Sequence, residues 1–98
     1  HVAKQISAKS GLPSSTITYS VNKVCASSMK AIHLAHLYLQ TGLHRAAVVV
    51  GVESMSTIPF ILKKHRNGHK LGHDTLHDLL LLDGLTDAHL QKHMGEIA

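Results

Sequence analysis

Cys25 is the residue with the most chemistry to offer. It is the only cysteine among 98 residues, so no disulfide can form within the chain, and a reducing compartment is the natural setting. It sits where a strand-like run, TITYSV at 16–21, gives way to a helical pattern beginning at Ala26. The first N–H groups of a helix lack intrahelical partners. Together with the helix dipole they favour an anion just ahead of the first turn, and they suit a developing oxyanion on an acyl thioester. A cysteine so placed is a candidate nucleophile. The alternative is an inert, buried structural cysteine.

The second candidate set is histidine. The chain holds 10, and His65, His69, His73 and His77 recur every four residues. On a helix that spacing would make one face of imidazoles, fit for Zn²⁺ or Cu²⁺. Gly68 and Gly72 interrupt the stretch, and glycine disfavours a helix interior. We therefore assign no metal ligand from sequence, keeping a histidine-rich metal-binding module as an alternative.

The elements that must position Cys25 follow from periodicity. Residues 2–9 suit a helix stopped near Gly11 and Pro13. Residues 16–21 alternate and are β-branched, as in a strand. Residues 26–40 form a helical pattern ended at Gly42, and AAVVVGV at 46–52 is a short apolar run suited to a strand covered on both faces. Residues 16–52 thus read as strand, helix, strand, with a right-handed crossover joining a parallel pair. The helix is apolar on most of its surface; only Lys30, His33, His36 and Gln40 make a polar stripe. Such a helix belongs inside a larger body. Residues 57–73 read as a loop excursion holding Pro59, Gly68, Gly72 and the basic cluster of Lys63, Lys64, Arg66 and Lys70. Residues 74–82 read as a helix, Asp83-Gly84 as a turn, and a short helix is expected from Thr86 or Asp87.

Composition narrows the function classes. The chain is 44% hydrophobic and 16% charged, which suits a globular body. Aromatics are 3% with no Trp, too few for base-stacking on single-stranded nucleic acid. The formal net charge of +4 suits a polyanionic small molecule such as coenzyme A. No run of 18 apolar residues predicts a membrane span. Neither end shows a leader or a cap, and we expect both to be internal to a longer chain.

Three blocks then point to one family. VNKVCASSMKAI at 21–32 closely resembles the active-site signature of thiolases. GVESMSTIP at 51–59 and DGLTDAHLQKHMG at 83–95 resemble two further thiolase blocks, in the family's order and near its spacing, and GLP at 11–13 fits as well. The wording is nearest the acetoacetyl-CoA thiolases, the acetyl-CoA acetyltransferases. The resemblance implies an α/β chain, part of the layered thiolase fold. Residues 1–53 would belong to its N-terminal α/β domain and 54–98 to the excursion that covers the coenzyme A site. It implies that Cys25 accepts the acyl group as a thioester, with its own N–H in the oxyanion hole. It implies that Leu85, His93 and Met94 line the pantetheine channel, for which ordinary packing or surface exposure is the competing account. Asn22 and Glu53 match positions expected to support the cysteine loop. No cofactor is implied, because coenzyme A thioesters are the substrates. The expected partners are acetyl-CoA or another acyl-CoA and further copies in a dimer or tetramer, with no nucleic acid and no membrane. The expected setting is the cytoplasm or mitochondria.

The chain also departs from the family pattern. It lacks the Gly-His-Pro, Cys-x-Gly and Asn-Glu-Ala motifs that supply the activating base, the proton-abstracting cysteine and the second oxyanion hole. These 98 residues by themselves are therefore expected to be without turnover. Ser28 and Val50 stand where the family has glycine, which bears on backbone approach beside Cys25. A degenerate thiolase-like chain with only a coenzyme A- or partner-binding role is the remaining alternative.

Overall fold

A computed structural model describes residues 1–98. The chain separates into two compact units, His1–Gly51 and Val52–Ala98.

The first unit holds two helices. α1 spans Val2–Lys9. The His1 ring Nδ1 accepts from the Lys4 N–H at 3.2 Å and so caps it. The helix stops where Gly11 turns left-handed at φ 73°, a conformation that costs glycine nothing. α2 spans Ser27–Gln40. The Thr41 hydroxyl donates to the Leu37 carbonyl at 3.0 Å, and Gly42 reverses the chain at φ 70°. Both helices and both glycine stops lie where periodicity placed them.

Residues 16–21 and 46–52 run without helix and without a ladder partner. Their β-branched sequences set local conformation, but a strand is completed only by a neighbour that takes its N–H and C=O groups. No side chain of α2 is fully buried: Met29, Ile32, Leu37 and Leu39 are all exposed. This is the pattern expected of a helix meant for a larger body.

The second unit departs from the sequence reading in two places. Residues 74–82 do not form a helix. Instead β1 (Phe60–Leu62) pairs antiparallel with β2 (Leu76–Asp78), with Phe60 opposite Asp78 and Leu62 opposite Leu76. β1 therefore lies inside the stretch read as loop. The cause is local. Pro59 fixes an extended entry, its carbonyl accepts from Leu79 N–H at 3.3 Å, and the Asp78 carboxylate takes the Leu80 N–H at 2.9 Å. That side-chain cap ends β2 and starts a wide π-type turn over Leu80–Leu85. The second departure is the last helix. α3 is short, Met94–Ile97, and begins at His93. At Asp87 the carboxylate instead closes a turn, accepting from the His89 and Leu90 N–H groups at 3.0 and 2.6 Å.

No helix is long and apolar enough to cross a membrane.

Candidate active site

Cys25 is exposed and immediately precedes α2. The segment that delivers it is a tight elbow. Val24 has φ 49°, left-handed backbone that a β-branched residue almost never adopts. Such strain persists only where neighbours over-determine it. Here the neighbours are two polar side chains. The Asn22 carboxamide oxygen accepts from the Val24 N–H at 3.0 Å. The Ser27 hydroxyl accepts from the Lys23 N–H at 2.8 Å and donates to the Val24 carbonyl at 2.6 Å. Asn22 thus buttresses the cysteine loop, as expected. Ser27 was not singled out by sequence. A serine two residues beyond a strand-to-helix junction is the signal that would have found it, because its hydroxyl competes readily for turn N–H groups.

The elbow also decides which N–H groups are available. Those of Ala26 and Ser27 turn back to the Lys23 and Val24 carbonyls, at 3.0 and 3.1 Å. They are occupied, so the supply of free helix N–H groups is smaller than the bare helix-terminus argument suggests. The Cys25 N–H is not among the bonded donors. A shallow depression of about 240 Å³, lined by Lys23, Ala26, Met29, Lys30 and His33, lies alongside the start of α2. Its two lysines favour an anionic occupant.

Ser28 and Gly51 explain each other. A Cβ on Gly51 would stand 2.5 Å from the Ser28 hydroxyl oxygen, far inside contact distance. Gly51 therefore makes room for a side chain at position 28, and the serine sits in α2 without strained backbone. Val50 is exposed and meets no such limit. Glu53 makes only a local bond, its carboxylate accepting from Ser54 N–H at 3.0 Å.

Behind the elbow, Tyr19 lies beside Tyr38 of α2. Partial burial, then the Tyr38 hydroxyl by hydrogen bond and by charge, push the Tyr19 phenol above its ordinary value of 10.0. Tyr38 also meets the His44 ring edge-on at 5.4 Å.

Leu85, His93 and Met94 belong to the second unit. An isolated antiparallel bridge joins Thr86 to His93, and Asp87 N–H donates to the Lys92 carbonyl at 2.8 Å. The bridge brings the chain at Leu85–Thr86 beside that at His93–Met94, so one short closure gathers all three positions. Leu85 is half-buried at the end of the π-type turn, while Met94 is exposed. The His93 ring Nδ1 accepts from Gly95 N–H at 3.0 Å and caps α3.

The histidine face does not exist. His65 lies in a single 3₁₀ turn and His77 in β2, so the four-residue spacing is not helical. This is the outcome that Gly68 and Gly72 dictate.

Comparison with known proteins gives these positions their context. The family described as the N-terminal domain of thiolase matches residues 1–98. An acetyl-CoA acetyltransferase of Arabidopsis thaliana is 44% identical over 98% of this chain and 24% of its own length. A cytosolic acetyl-CoA acetyltransferase of Gibberella zeae is 47% identical over 95% of this chain and 24% of its own. Among solved structures, a thiolase of Ascaris suum in complex with coenzyme A matches with TM-score 0.88 and 41% identity, covering 96% of this chain and 24% of that one. An acetyl-CoA acetyltransferase of Syntrophomonas wolfei matches with TM-score 0.89 and 35% identity over 95% of this chain. The chain thus spans about a quarter of the length of the relatives it matches.

Proposed function

The chain belongs to the thiolase family, its α/β arrangement is part of the thiolase fold, and we propose that Cys25 is the acyl-accepting nucleophile of an acetyl-CoA C-acetyltransferase. The observation that carries this reading is the elbow: a strained Val24 held by Asn22 and Ser27 presents an exposed thiol at the head of a 14-residue helix.

In the first step the Cys25 sulfur attacks the thioester carbonyl of an acyl-CoA. A C–S bond forms, the carbonyl oxygen takes up negative charge, and the Cys25 N–H donates to it. The C–S bond to coenzyme A then breaks, and the departing thiolate takes the proton that Cys25 gave up. In the second step an acetyl-CoA that has lost an α-proton attacks the enzyme thioester, giving acetoacetyl-CoA and the free cysteine; thiolysis is the reverse. The covalent intermediate divides one hard condensation into two easier steps. Groups that take up and return the protons lie outside these 98 residues, so the chain by itself is without turnover.

Leu85 and Met94 offer an apolar wall and His93 a polar edge to the pantetheine arm. The basic residues suit the phosphates of coenzyme A, and no prosthetic group is needed. The working protein is a homo-oligomer of the cytoplasm or mitochondria that acts on acyl-CoA rather than on nucleic acid or at a membrane.

The test is acylation of the full-length protein by acetyl-CoA, followed by mass spectrometry of the Cys25 peptide. A thioester adduct on Cys25 that disappears in Cys25→Ser is the expected result. A wild-type protein that binds coenzyme A and acquires no adduct would instead make this a binding-only relative.

A further inference from the structure

We infer that His65, His69 and Asp74 form a binding site for one zinc-class divalent cation, separate from the thiol chemistry. One potential ligand atom from each of the three lies within 4.8 Å of the others. The backbone brings them together: Lys64, Gly68 and Gly72 are left-handed at φ 64°, 85° and 102°, and these reversals fold residues 65–74 back on themselves. The His65 Nδ1 stands 3.1 Å from the Asp74 carboxylate, and the two imidazoles stack with centroids 4.8 Å apart and planes 22° apart.

Each ring is already oriented by a backbone carbonyl. His65 Nδ1 donates to the Lys63 carbonyl at 2.8 Å, and His69 Nε2 donates to the Gly72 carbonyl at 2.7 Å. A carbonyl can only accept, so the His65 Nδ1–H faces both the Lys63 carbonyl and the Asp74 carboxylate; to ligate a cation beside Asp74 the His65 ring must turn to present Nε2, while His69 Nδ1 keeps its lone pair. Metal-bound histidines are tied by their second nitrogen in the way His69 is tied to Gly72. Two neutral imidazoles and one carboxylate make a donor set for Zn²⁺, with water in the fourth position. Tetrahedral ligation at about 2.0–2.2 Å requires donor atoms about 3.3 Å apart. The cluster must therefore contract, by rotation of side chains that are half-buried at His65 and exposed at His69 and Asp74. Lys63, Lys64, Arg66 and Lys70 share this segment and oppose diffuse attraction of cations. Binding here rests on nitrogen ligation, and hard, oxygen-seeking Mg²⁺ is excluded. The ion would staple residue 65 to residue 74 and hold the segment in one conformation.

The test is calorimetric titration of the chelator-treated full-length protein with Zn²⁺, repeated with Mg²⁺ and with Co²⁺ as a visible-absorption probe. Expected are one Zn²⁺ per chain at micromolar or lower concentration, no heat with Mg²⁺, and a tetrahedral Co²⁺ band. His69→Ala and Asp74→Asn should each weaken Zn²⁺ by at least about tenfold, with His73→Ala and His77→Ala unchanged. Circular dichroism of each variant separates lost ligation from lost fold. Absence of Zn²⁺ heat, or Zn²⁺ binding indifferent to His69→Ala and Asp74→Asn in folded variants, overturns the site and leaves an ordinary His65–Asp74 ion pair.

Discussion

Ser27→Ala in the full-length protein is the sharpest probe of the elbow. Holding Val24 at φ 49° costs about 1–2 kcal/mol relative to right-handed backbone. The Ser27 hydroxyl opposes that cost with two hydrogen bonds, to Lys23 N–H at 2.8 Å and to the Val24 carbonyl at 2.6 Å. Each is worth about 0.5–1.5 kcal/mol net. Lys23 and Val24 are exposed, so water partly replaces the lost partners and the net penalty is about 1–2 kcal/mol. A loss of that size lowers the population of the strained elbow by about 5–30-fold. Because only the elbow presents the thiol correctly, acylation of Cys25 by acetyl-CoA should slow by a similar factor, read by rapid quench and mass spectrometry of the Cys25 peptide. Ser27→Thr keeps the hydroxyl and should acylate near the wild-type rate. Val24→Gly removes the steric cost of positive φ, so adding it to Ser27→Ala should restore part of the rate. A Ser27→Ala protein that acylates as fast as wild type would refute the reasoning. So would equal impairment of the alanine and threonine variants.

Gly51→Ala should cost no more than about 1 kcal/mol, because rotation of the exposed Ser28 hydroxyl relieves the 2.5 Å approach, and Ser28→Gly on top of it should abolish that cost in melting temperature. Tyr19 should ionise above 10.0; its folded-state pKa is raised, so its contribution to stability is present below pH 10 and is lost as pH rises through the folded value. Replacing Tyr38 by Phe removes the second and third causes but not the burial, so the Tyr19 titration, followed by phenolate absorbance, should move part of the way back. The 98-residue chain alone should melt without a cooperative transition in circular dichroism and show no acetoacetyl-CoA cleavage.

How legible this was in the sequence differs by element. α1 and α2 were legible because caps, glycine stops and a 3.6-residue pattern are local properties. The three blocks that carry the family resemblance were legible for the same reason: their order and spacing survive in one sequence. β1 and β2 were not, because Phe60-Ile61-Leu62 and Leu76-His77-Asp78 have strand character only in each other's company. The leucines at 76, 79, 80 and 82 mimic a helical stripe, and one carboxylate, Asp78, breaks it by taking the Leu80 N–H. At the elbow, the placement of Cys25 just ahead of a helix was legible, as was Asn22 as a support for its loop. Ser27 and the left-handed Val24 were not, since nothing in a valine announces positive φ. The histidine spacing was legible as an unusual feature and wrong as a helix face. The residues that converge are set by Lys64, Gly68 and Gly72, and the third partner is Asp74 rather than a fourth histidine.

The exposed apolar surface ties these observations together. A compact body of 10.6 kDa exposes about 5,500 Å², and two separate bodies of half that mass about 6,600 Å². This chain exposes 8629 Å², and none of its hydrophobic side chains is fully buried. Its excess is therefore about 2,000 Å² even against two independent units, comparable to a large protein interface. Val48 and Val50, on the run read as a strand covered on both faces, are 76% and 51% exposed. Ile17, on the other such run, is 77% exposed. The unpaired runs at 16–21 and 46–52 and the uncovered α2 thus have one cause: none finds a cover within its own unit. The elbow differs in kind. Its hydrogen bonds all close within residues 22–27, so the geometry that presents Cys25 is encoded locally even where the core around it is not. Amide hydrogen exchange should reflect that division, with protection at Val24 in the full-length protein falling less on removal of the rest of the chain than protection along residues 46–50. Equal loss at both places would place the elbow under tertiary rather than local control.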